Sequence, residues 1–369
     1  MNRYIIQYHS RTLAALAHRD KQQRLPASAW LFNYAATPDY EIEIALHDKV
    51  KNINDTKLHT GLGAIASIRT SSEEQAIEIS KNHVEALLNL ICFSTIAHCA
   101  PAKLVSVIDL AGKEAHPCKF YAYPFDDQEI MGSLALIDET TFGKIFEAYD
   151  ESTYKPRLLR ALAWLRKGIG EETTMDEFVS YWIGLEVVKH IISSDKTRTD
   201  VEWRKIEEIF TDKLHFQNFQ KIKKAGRNGL LHGFRQLDEK FAKELSSYIE
   251  PIRKTLIFCI GSTLGLEDSN ILSIASKNPK RIRWNPWAIM KGQLKNLPTD
   301  FKELVAAYPT LDIETTDREL SVSQGGELTI KYSVTHRFHS TGNTKLELGE
   351  TELWGDKDIG ITRSTISIK

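Results

Sequence analysis

Cysteine and long apolar runs are scarce in this chain. Its four cysteines are spread over 369 residues without a repeating spacing, which argues against a disulfide framework and favours a reducing compartment. The most apolar stretches, 86–100 and 256–266, contain polar residues and are too short to span a bilayer. The N-terminal residues show no apolar run followed by a small-residue cleavage site. We therefore expect a cytoplasmic protein that does not enter a membrane.

Signatures of common nucleotide-binding and hydrolytic enzymes are also missing. Gly61 and Gly63 lack the third glycine of a dinucleotide-binding fingerprint. Neither a G-x-S-x-G nor a Walker pattern occurs, so serine hydrolase and P-loop chemistry have no support. The net charge of −1 argues against a protein that coats nucleic acid along its whole surface. A local basic site remains compatible with that charge.

A zinc site deserves consideration because three cysteines and two histidines fall within one region. These are Cys92, His98, Cys99, His116 and Cys118. Their spacing does not match the C-x2-C pattern of a zinc knuckle, and thiols on an apolar helix are commonly buried core residues. We therefore expect neither a metal nor a cofactor, and a zinc-bound interaction scaffold is kept as an alternative.

The length of the chain predicts two or three domains. In residues 1–140, Tyr40–Leu46 alternates apolar and charged positions, as a half-buried strand does. Ser71 and Glu74 form a capping-box signal for a long helix that follows. Further strands are predicted at Lys103–Asp109 and Lys119–Tyr123. We interpret this region as an α+β domain with a sensor or regulatory role.

Residues 141–272 have an almost entirely helical pattern. Pro156 lies near the start of one predicted helix, where proline is tolerated. Thr174 and Glu177 form a second capping-box signal. Later helices are predicted at about 202–214, 216–231 and 238–262, the last with Pro251 inside it. Helices joined by short connections favour an antiparallel bundle.

Residues 273–369 begin with a basic connector and continue with strand patterns. The strand patterns cover about 319–323, 327–334, 345–348 and 366–368, and glycine-containing turns separate them. We predict a small β-rich appendage. The complete prediction is therefore a multidomain α+β chain with a central all-helical bundle.

One stretch of the bundle carries an unusual concentration of positive charge. Lys213–Arg235 contains six cations and no acid, and such a stretch attracts a nucleic-acid backbone. An arginine can bind phosphate through a planar fork of donors, and a histidine can exchange a proton near neutral pH. Four of these cations are predicted to contact RNA: Lys221, Lys223, Lys224 and Arg235.

Arg227 and His232 are the pair suited to phosphodiester chemistry. On a regular helix they would lie about 140° apart, on the two sides of a groove. Asn228 and His232 are four residues apart and share a face, so Asn228 could fix the imidazole tautomer by a hydrogen bond. A solvated lysine-rich helix face remains the plainer interpretation of the same residues.

The connector Lys277–Lys295 also has six cations and no acid. Arg281, Arg283 and Trp284 make it a candidate for single-stranded RNA, because aromatic rings among cations can stack on bases. The alternative, slightly favoured, is a linker whose tryptophans fill a domain interface.

The R-N-x-x-x-H string of Arg227–His232 resembles the Arg-x4–6-His signature of the HEPN superfamily. Upstream, the segments 160–165 and 176–186, which include W-I-G-L-E, resemble the first two helices of its ApeA-like branch. The resemblance covers about residues 145–265. It implies a HEPN-like helical bundle that forms a homodimer and acts as a metal-independent endoribonuclease in bacterial antiviral defence or a toxin–antitoxin system.

The resemblance also implies a role for each motif residue. His232 would act as general base on the ribose 2′-OH or as acid on the leaving 5′-oxygen. Arg227 would stabilise charge at phosphorus, Asn228 would orient His232, and Glu186 would position or tune the pair. RNA is the implied substrate, with an antitoxin or a phage-derived trigger as a further partner. The alternative is a non-catalytic accessory protein that keeps the bundle for dimerisation or ligand binding beside metabolic genes, such as those of methylamine utilisation.

Overall fold

The computed structural model describes residues 1–16, 30–34, 36–53, 56–110, 116–121, 134–192, 199–225, 239–281, 287–295, 310–322, 328–339, 345–354 and 364–366. The chain divides into two compact units, the first comprising Met1–Ile53 and Lys57–Ile282 and the second Asn54–Thr56 and Arg283–Lys369. Helices combine with a mostly antiparallel sheet, which confirms the predicted α+β class. Within the described part of the chain, no helix is both long and apolar enough to cross a membrane.

Most strands of the first unit belong to one six-stranded sheet. Its strands have the order β3-β4-β5-β1-β6-β7, and β2 pairs with β8 in a separate parallel ladder. The strand predicted at 40–46 is confirmed from Glu41 onward within β4, and the strand predicted at 103–109 coincides with β6. The strand predicted at 119–123 begins one residue earlier, as β7, and ends at Phe120. The strands are β1 (Asn2–Ser10), β2 (Ala14–Leu16), β3 (Trp30–Asn33), β4 (Glu41–Ile53), β5 (Thr56–Thr70), β6 (Lys103–Asp109), β7 (Cys118–Phe120) and β8 (Ala135–Ile137).

The helices predicted for the first unit are present in the described ranges, but the helix predicted from residue 216 begins only at Phe219, because Asn218 has a left-handed backbone (φ 69°). The helices of this unit are α1 (Glu73–Thr95), α2 (Glu139–Glu151), α3 (Lys155–Gly170), α4 (Thr174–Ile192), α5 (Thr199–Glu208), α6 (Phe219–Lys223), α7 (Glu239–Thr263) and α8 (Asp268–Ala275), and a π-helical turn, Ile209–Lys213, follows α5. Pro156 lies in the first turn of α3, and Pro251 lies inside α7, both as predicted.

Both predicted capping boxes are wrong by one residue. The side chain of Ser72, not Ser71, accepts the backbone N–H of Gln75 at the start of α1. Thr173, not Thr174, accepts the backbone N–H of Asp176 at 3.1 Å before α4. In both places two hydroxyl residues are adjacent, and the extended backbone of Ser72 (φ −143°, ψ 165°) lets its side chain reach back to the helix.

Helix α1 lies against one face of the sheet. Tyr8 of β1 is buried, and its hydroxyl donates to the Ile77 carbonyl of α1 at 2.9 Å and bonds Ser80 Oγ at 2.8 Å. α1 also packs against α3. Strands and bundle helices therefore share the first unit, and the division of this unit into domains 1–140 and 141–272 stays a prediction.

Helix α4 is the central helix of the bundle. It packs against α3, α5 and α7, and its buried residues span rather more than half of its circumference, whereas Ile183, Glu186 and His190 lie on a less buried side. Glycines permit two of these close contacts. A Cβ on Gly184 would lie 2.6 Å from Leu256 of α7, and a Cβ on Gly168 of α3 would lie 2.3 Å from the Tyr181 ring.

We expect Gly168→Ala to destabilise the protein by about 1–3 kcal/mol, because an added methyl group overpacks a rigid contact. The Tyr181 ring is fully buried and its hydroxyl is held by Glu177 at 3.0 Å, so it has little freedom to move away. Gly143→Ala is the control, since a Cβ there would meet nothing within 4 Å. Thermal unfolding should show a lower midpoint for the first variant alone, and equal midpoints would contradict this packing.

The second unit consists of strands in the described ranges. β10 pairs with β11, and β12 pairs with β13 and β9, all antiparallel. The prediction of a connector through Lys295 is wrong in its second half, because that segment forms strand β9. The strands are β9 (Trp287–Lys295), β10 (Thr310–Val322), β11 (Leu328–His339), β12 (Lys345–Trp354) and β13 (Ser364–Ile366).

Candidate functional site

The motif Arg227–His232 lies outside the described residues, as do Arg235, Arg283 and Trp284. The structure describes the chain up to Ala225 before the motif and from Glu239 after it. Ala225 is buried. The described part of the candidate site is therefore formed by α4, α5 and α6.

An aromatic stack joins these three helices. Trp182 of α4 stacks on Trp203 of α5, with ring centroids 5.0 Å apart and planes 18° apart. Phe178, one turn earlier on α4, also stacks on Trp182, with ring centroids 6.1 Å apart, and the ring of Phe219 of α6 lies 6.0 Å from that of Trp203. Contacts of this kind stabilise beyond the area that they bury, so the stack fixes α5 and α6 against one face of α4.

A buried ion pair lies beside this stack. The Lys189 ammonium donates to the Glu186 carboxylate three residues earlier on α4, a spacing at which helical side chains meet. The Lys189 side chain is 9% exposed and that of Glu186 32%. Lys189 Nζ also lies 5.0 Å from the centroid of the Trp203 ring. The carboxylate and the ring together offset the cost of burying the ammonium.

Lys223 brings α6 to the same ring. Its Nζ lies 5.3 Å from the Trp203 centroid. We call Glu186, Lys189, Trp203 and Lys223 the Trp203 cluster. Glu186 and Lys223 were predicted site residues, and in this cluster Glu186 contacts Lys189 and Lys223 contacts the Trp203 ring. Lys189 and Trp203 were not predicted. The spacing of Glu186 and Lys189 is the signal that could have identified the lysine.

Trp182 contributes an unused donor next to the cluster. The residue is fully buried, and its indole Nε1 has no hydrogen-bond acceptor within the described ranges. Trp182 precedes Glu186 by one turn on α4 and therefore shares its face. A buried indole N–H usually has a hydrogen-bond acceptor. On this face α4 therefore presents the Trp182 N–H, a donor without an acceptor among the described residues, as well as the Glu186 carboxylate.

In the folded chain, acidic side chains compensate part of the positive charge of the basic stretch Lys213–Arg235. Lys213 pairs with Asp268 of α8 at 2.6 Å, and Lys221 lies 3.9 Å from Glu244 of α7. Among the described residues, no acid lies within ion-pair distance of Lys224, whose side chain is exposed. Acids from other helices thus neutralise part of the described stretch, and Lys224, the last described cation before the motif, remains exposed.

Three cations of the connector contact other parts of the first unit. Lys277 Nζ donates to the Ser94 carbonyl at 2.7 Å, and Lys280 Nζ donates to the Leu134 carbonyl at 2.8 Å. The Arg281 guanidinium donates to the Glu177 carboxylate of α4. These contacts favour the interpretation of this part of the connector as an interface segment.

Of the five residues considered for zinc, Cys92 and Cys99 are buried, whereas His116 and Cys118 are exposed. Burial raises the pKa of the Cys92 and Cys99 thiols. Burial, together with the charges of Arg166 and Arg281, lowers the pKa of His98 to about 4, so its imidazole is neutral at neutral pH. Within the described ranges, no three histidine, cysteine or acidic side chains are grouped so as to hold a metal ion.

Comparison of the chain with protein-family models, curated proteins and solved structures finds no match in any of the three.

Proposed function

We propose that the chain is a HEPN-type, metal-independent endoribonuclease whose catalytic residues are Arg227, Asn228 and His232. The Trp203 cluster carries the proposal, because it brings the helix that leads to the motif against the polar face of α4. The cellular role that fits such a nuclease is bacterial antiviral defence or a toxin–antitoxin system, with residues 1–140 in a sensing role.

Helical spacing relates the motif to this cluster. Arg227 follows Lys223 by four residues, and the predicted helix at 216–231 would place both on one face. Lys223 contacts the Trp203 ring on that face. Such a helix would direct the Arg227 side chain to the same side as Lys223, and Asn228 and His232, four residues apart, would share the neighbouring face.

The proposed reaction uses the 2′-OH of RNA as its nucleophile. His232 takes the 2′-OH proton, the 2′-oxygen forms a bond to phosphorus, and the bond from phosphorus to the 5′-oxygen breaks. A protonated histidine returns a proton to that 5′-oxygen. Arg227 stabilises the charge that develops on the phosphoryl oxygens. The products are a 2′,3′-cyclic phosphate and a 5′-OH end. In a homodimer, the motif of the second subunit would lie opposite that of the first.

Substitution of Lys224 is expected to weaken RNA binding more than substitution of Lys213. Lys224→Ala removes an exposed cation next to the motif, whereas Lys213 is already paired with Asp268. Binding measured over a range of salt concentrations should show a slope of log K against log salt that is smaller by about one for Lys224→Ala. An unchanged slope for Lys224→Ala would exclude it from the RNA surface.

The proposal is tested by incubating the purified full-length protein with RNA in EDTA. We expect cleavage by the wild type and none by His232→Ala. Identical behaviour of the two proteins would refute the enzymatic function and favour a non-catalytic binding role. Cleavage that requires an added divalent cation would refute the mechanism.

A further inference from the structure

A cleft of about 120 Å³ opens in the first unit, and its described lining residues include none of the Trp203 cluster. Its buried part includes Ser94 and Thr95 at the end of α1 and Ile274 of α8. Strand β8, the start of α2 and the segment after α8 complete its walls. Sites for drug-sized ligands measure about 300–1,000 Å³, so this cleft has the size for a small metabolite.

Two opposite charges line this cleft from different elements. The Lys277 ammonium follows α8, and the Asp138 carboxylate precedes α2. Burial lowers the pKa of Lys277, and the charge of Asp138 partly opposes that shift, so the two groups interact. Among the described residues, however, no carboxylate lies within ion-pair distance of the Lys277 ammonium. The two charges therefore stay apart and leave space for a ligand between them.

Both charged groups retain the capacity to bind a ligand. An ammonium has three N–H donors, and Lys277 gives one of them to the Ser94 carbonyl at 2.7 Å. A carboxylate has about four acceptor positions, and Asp138 uses one to cap α2 at the backbone N–H of Thr141, at 2.8 Å. Neither contact exhausts the group that makes it.

The rest of the lining suits a short apolar group. Leu136, which is 64% exposed, and the buried Ile137 and Ile274 provide apolar surface. Asn270 and Ser273, one turn apart on α8, add neutral polar groups. A ligand that complements this lining carries one anion, one cation and a short apolar group. An α-amino acid with a small aliphatic side chain has all three.

We propose that this cleft binds a free α-amino acid with a small aliphatic side chain, whose carboxylate is bound by Lys277 and whose ammonium is bound by Asp138. The aliphatic group contacts Leu136 and Ile274. Because the lining comes from α1, β8, α2 and α8, a bound ligand would hold α8 against β8 and the start of α2. Binding at the cleft is independent of the proposed nuclease activity, since it is measured without RNA.

The test titrates the full-length protein with L-alanine, L-valine and L-leucine by isothermal titration calorimetry. A ligand of so few atoms should bind with a Kd of roughly 0.1–10 mM. The amide of the tightest binder lacks the carboxylate, and its N-acetyl form lacks the ammonium. Each should bind at least about tenfold more weakly than the parent amino acid, because each loses hydrogen bonds to a charged group.

Substitutions in the cleft should weaken binding of the same amino acid. Lys277→Met and Asp138→Asn should each raise the Kd by about tenfold or more. Asparagine caps a helix about as well as aspartate, so the second variant keeps α2 intact. Ser273→Leu narrows the cleft without altering either charge and should also raise the Kd, which keeps the test decisive if Lys277→Met folds poorly. Lys243→Met is the control, because Lys243 is an exposed lysine of α7 paired with Glu239 at 2.8 Å, and its replacement should leave the Kd within about twofold.

Three results would overturn the proposal. The first is that none of the three amino acids binds with a Kd below about 10 mM. The second is that the amide or the N-acetyl form binds as tightly as the parent, since the two charges would then have no role. The third is a Kd that is unchanged in Lys277→Met, Asp138→Asn and Ser273→Leu, or that rises equally in Lys243→Met, since binding would then not depend on this cleft.

Discussion

Replacing His232 with alanine is expected to lower the rate of RNA cleavage by about 10²–10⁴-fold, the usual contribution of a positioned acid or base. The loss should appear in the single-turnover rate, because the imidazole acts on the reacting 2′-OH and contributes little to RNA affinity. RNA affinity measured by titration should change by less than about threefold. The expected effect is the largest in this protein, since no other side chain of the motif can transfer a proton near neutral pH.

His116→Ala provides the control for this experiment. His116 is exposed and lies two residues before β7 of the six-stranded sheet, outside the Trp203 cluster. Its replacement should leave the rate within about twofold of the wild type, as expected for an exposed residue away from the reaction. A comparable loss in both histidine variants would contradict the assignment of His232 as the catalytic residue.

Arg166→Met is expected to lower the free energy of unfolding by about 3–5 kcal/mol, because removal of one member of a buried charge network strands its partners. The Arg166 guanidinium donates to Glu85 at 2.6 Å, to Asn89 at 3.0 Å and to the Cys99 carbonyl at 2.5 Å. These bonds connect α3 to α1 and to the segment after it. Their loss therefore weakens the contact between α3 and α1 within the first unit.

Denaturant unfolding measures this effect directly, with Arg204→Met as the control. Arg204 pairs with Glu208 at 3.4 Å, with 76% and 55% of the two side chains exposed. Such a surface pair contributes less than about 1 kcal/mol. Similar unfolding midpoints for Arg166→Met and Arg204→Met would show that the buried network contributes little to stability.

Helix and strand positions were largely predictable because they depend on local periodicity. The apolar pattern places α4 and α7 correctly, and strand β6 matches its predicted bounds at both ends. The capping residues were displaced by one, because Ser71 and Ser72 carry the same hydroxyl. Only the backbone angles decide which of the two caps the helix.

The candidate site was less predictable because its contacts join distant parts of the chain. Glu186 could be selected from its place in the W-I-G-L-E string. The contact between Lys189 and Trp203 depends on the packing of α5 against α4. Similarly, the acidic partners of Lys213 and Arg281 lie on helices 55 and 104 residues away in sequence. A stretch that contains no acid in its own sequence can therefore still have its positive charges paired in the folded chain.

The central claim is metal-independent cleavage through the ribose 2′-OH, and analysis of the RNA ends produced in EDTA tests it most directly. We predict that wild-type protein leaves 2′,3′-cyclic phosphate and 5′-OH ends, and that a substrate with 2′-deoxyribose at the cleaved position stays intact. Cleavage of the deoxy-substituted position, or 5′-phosphate ends, would contradict the account.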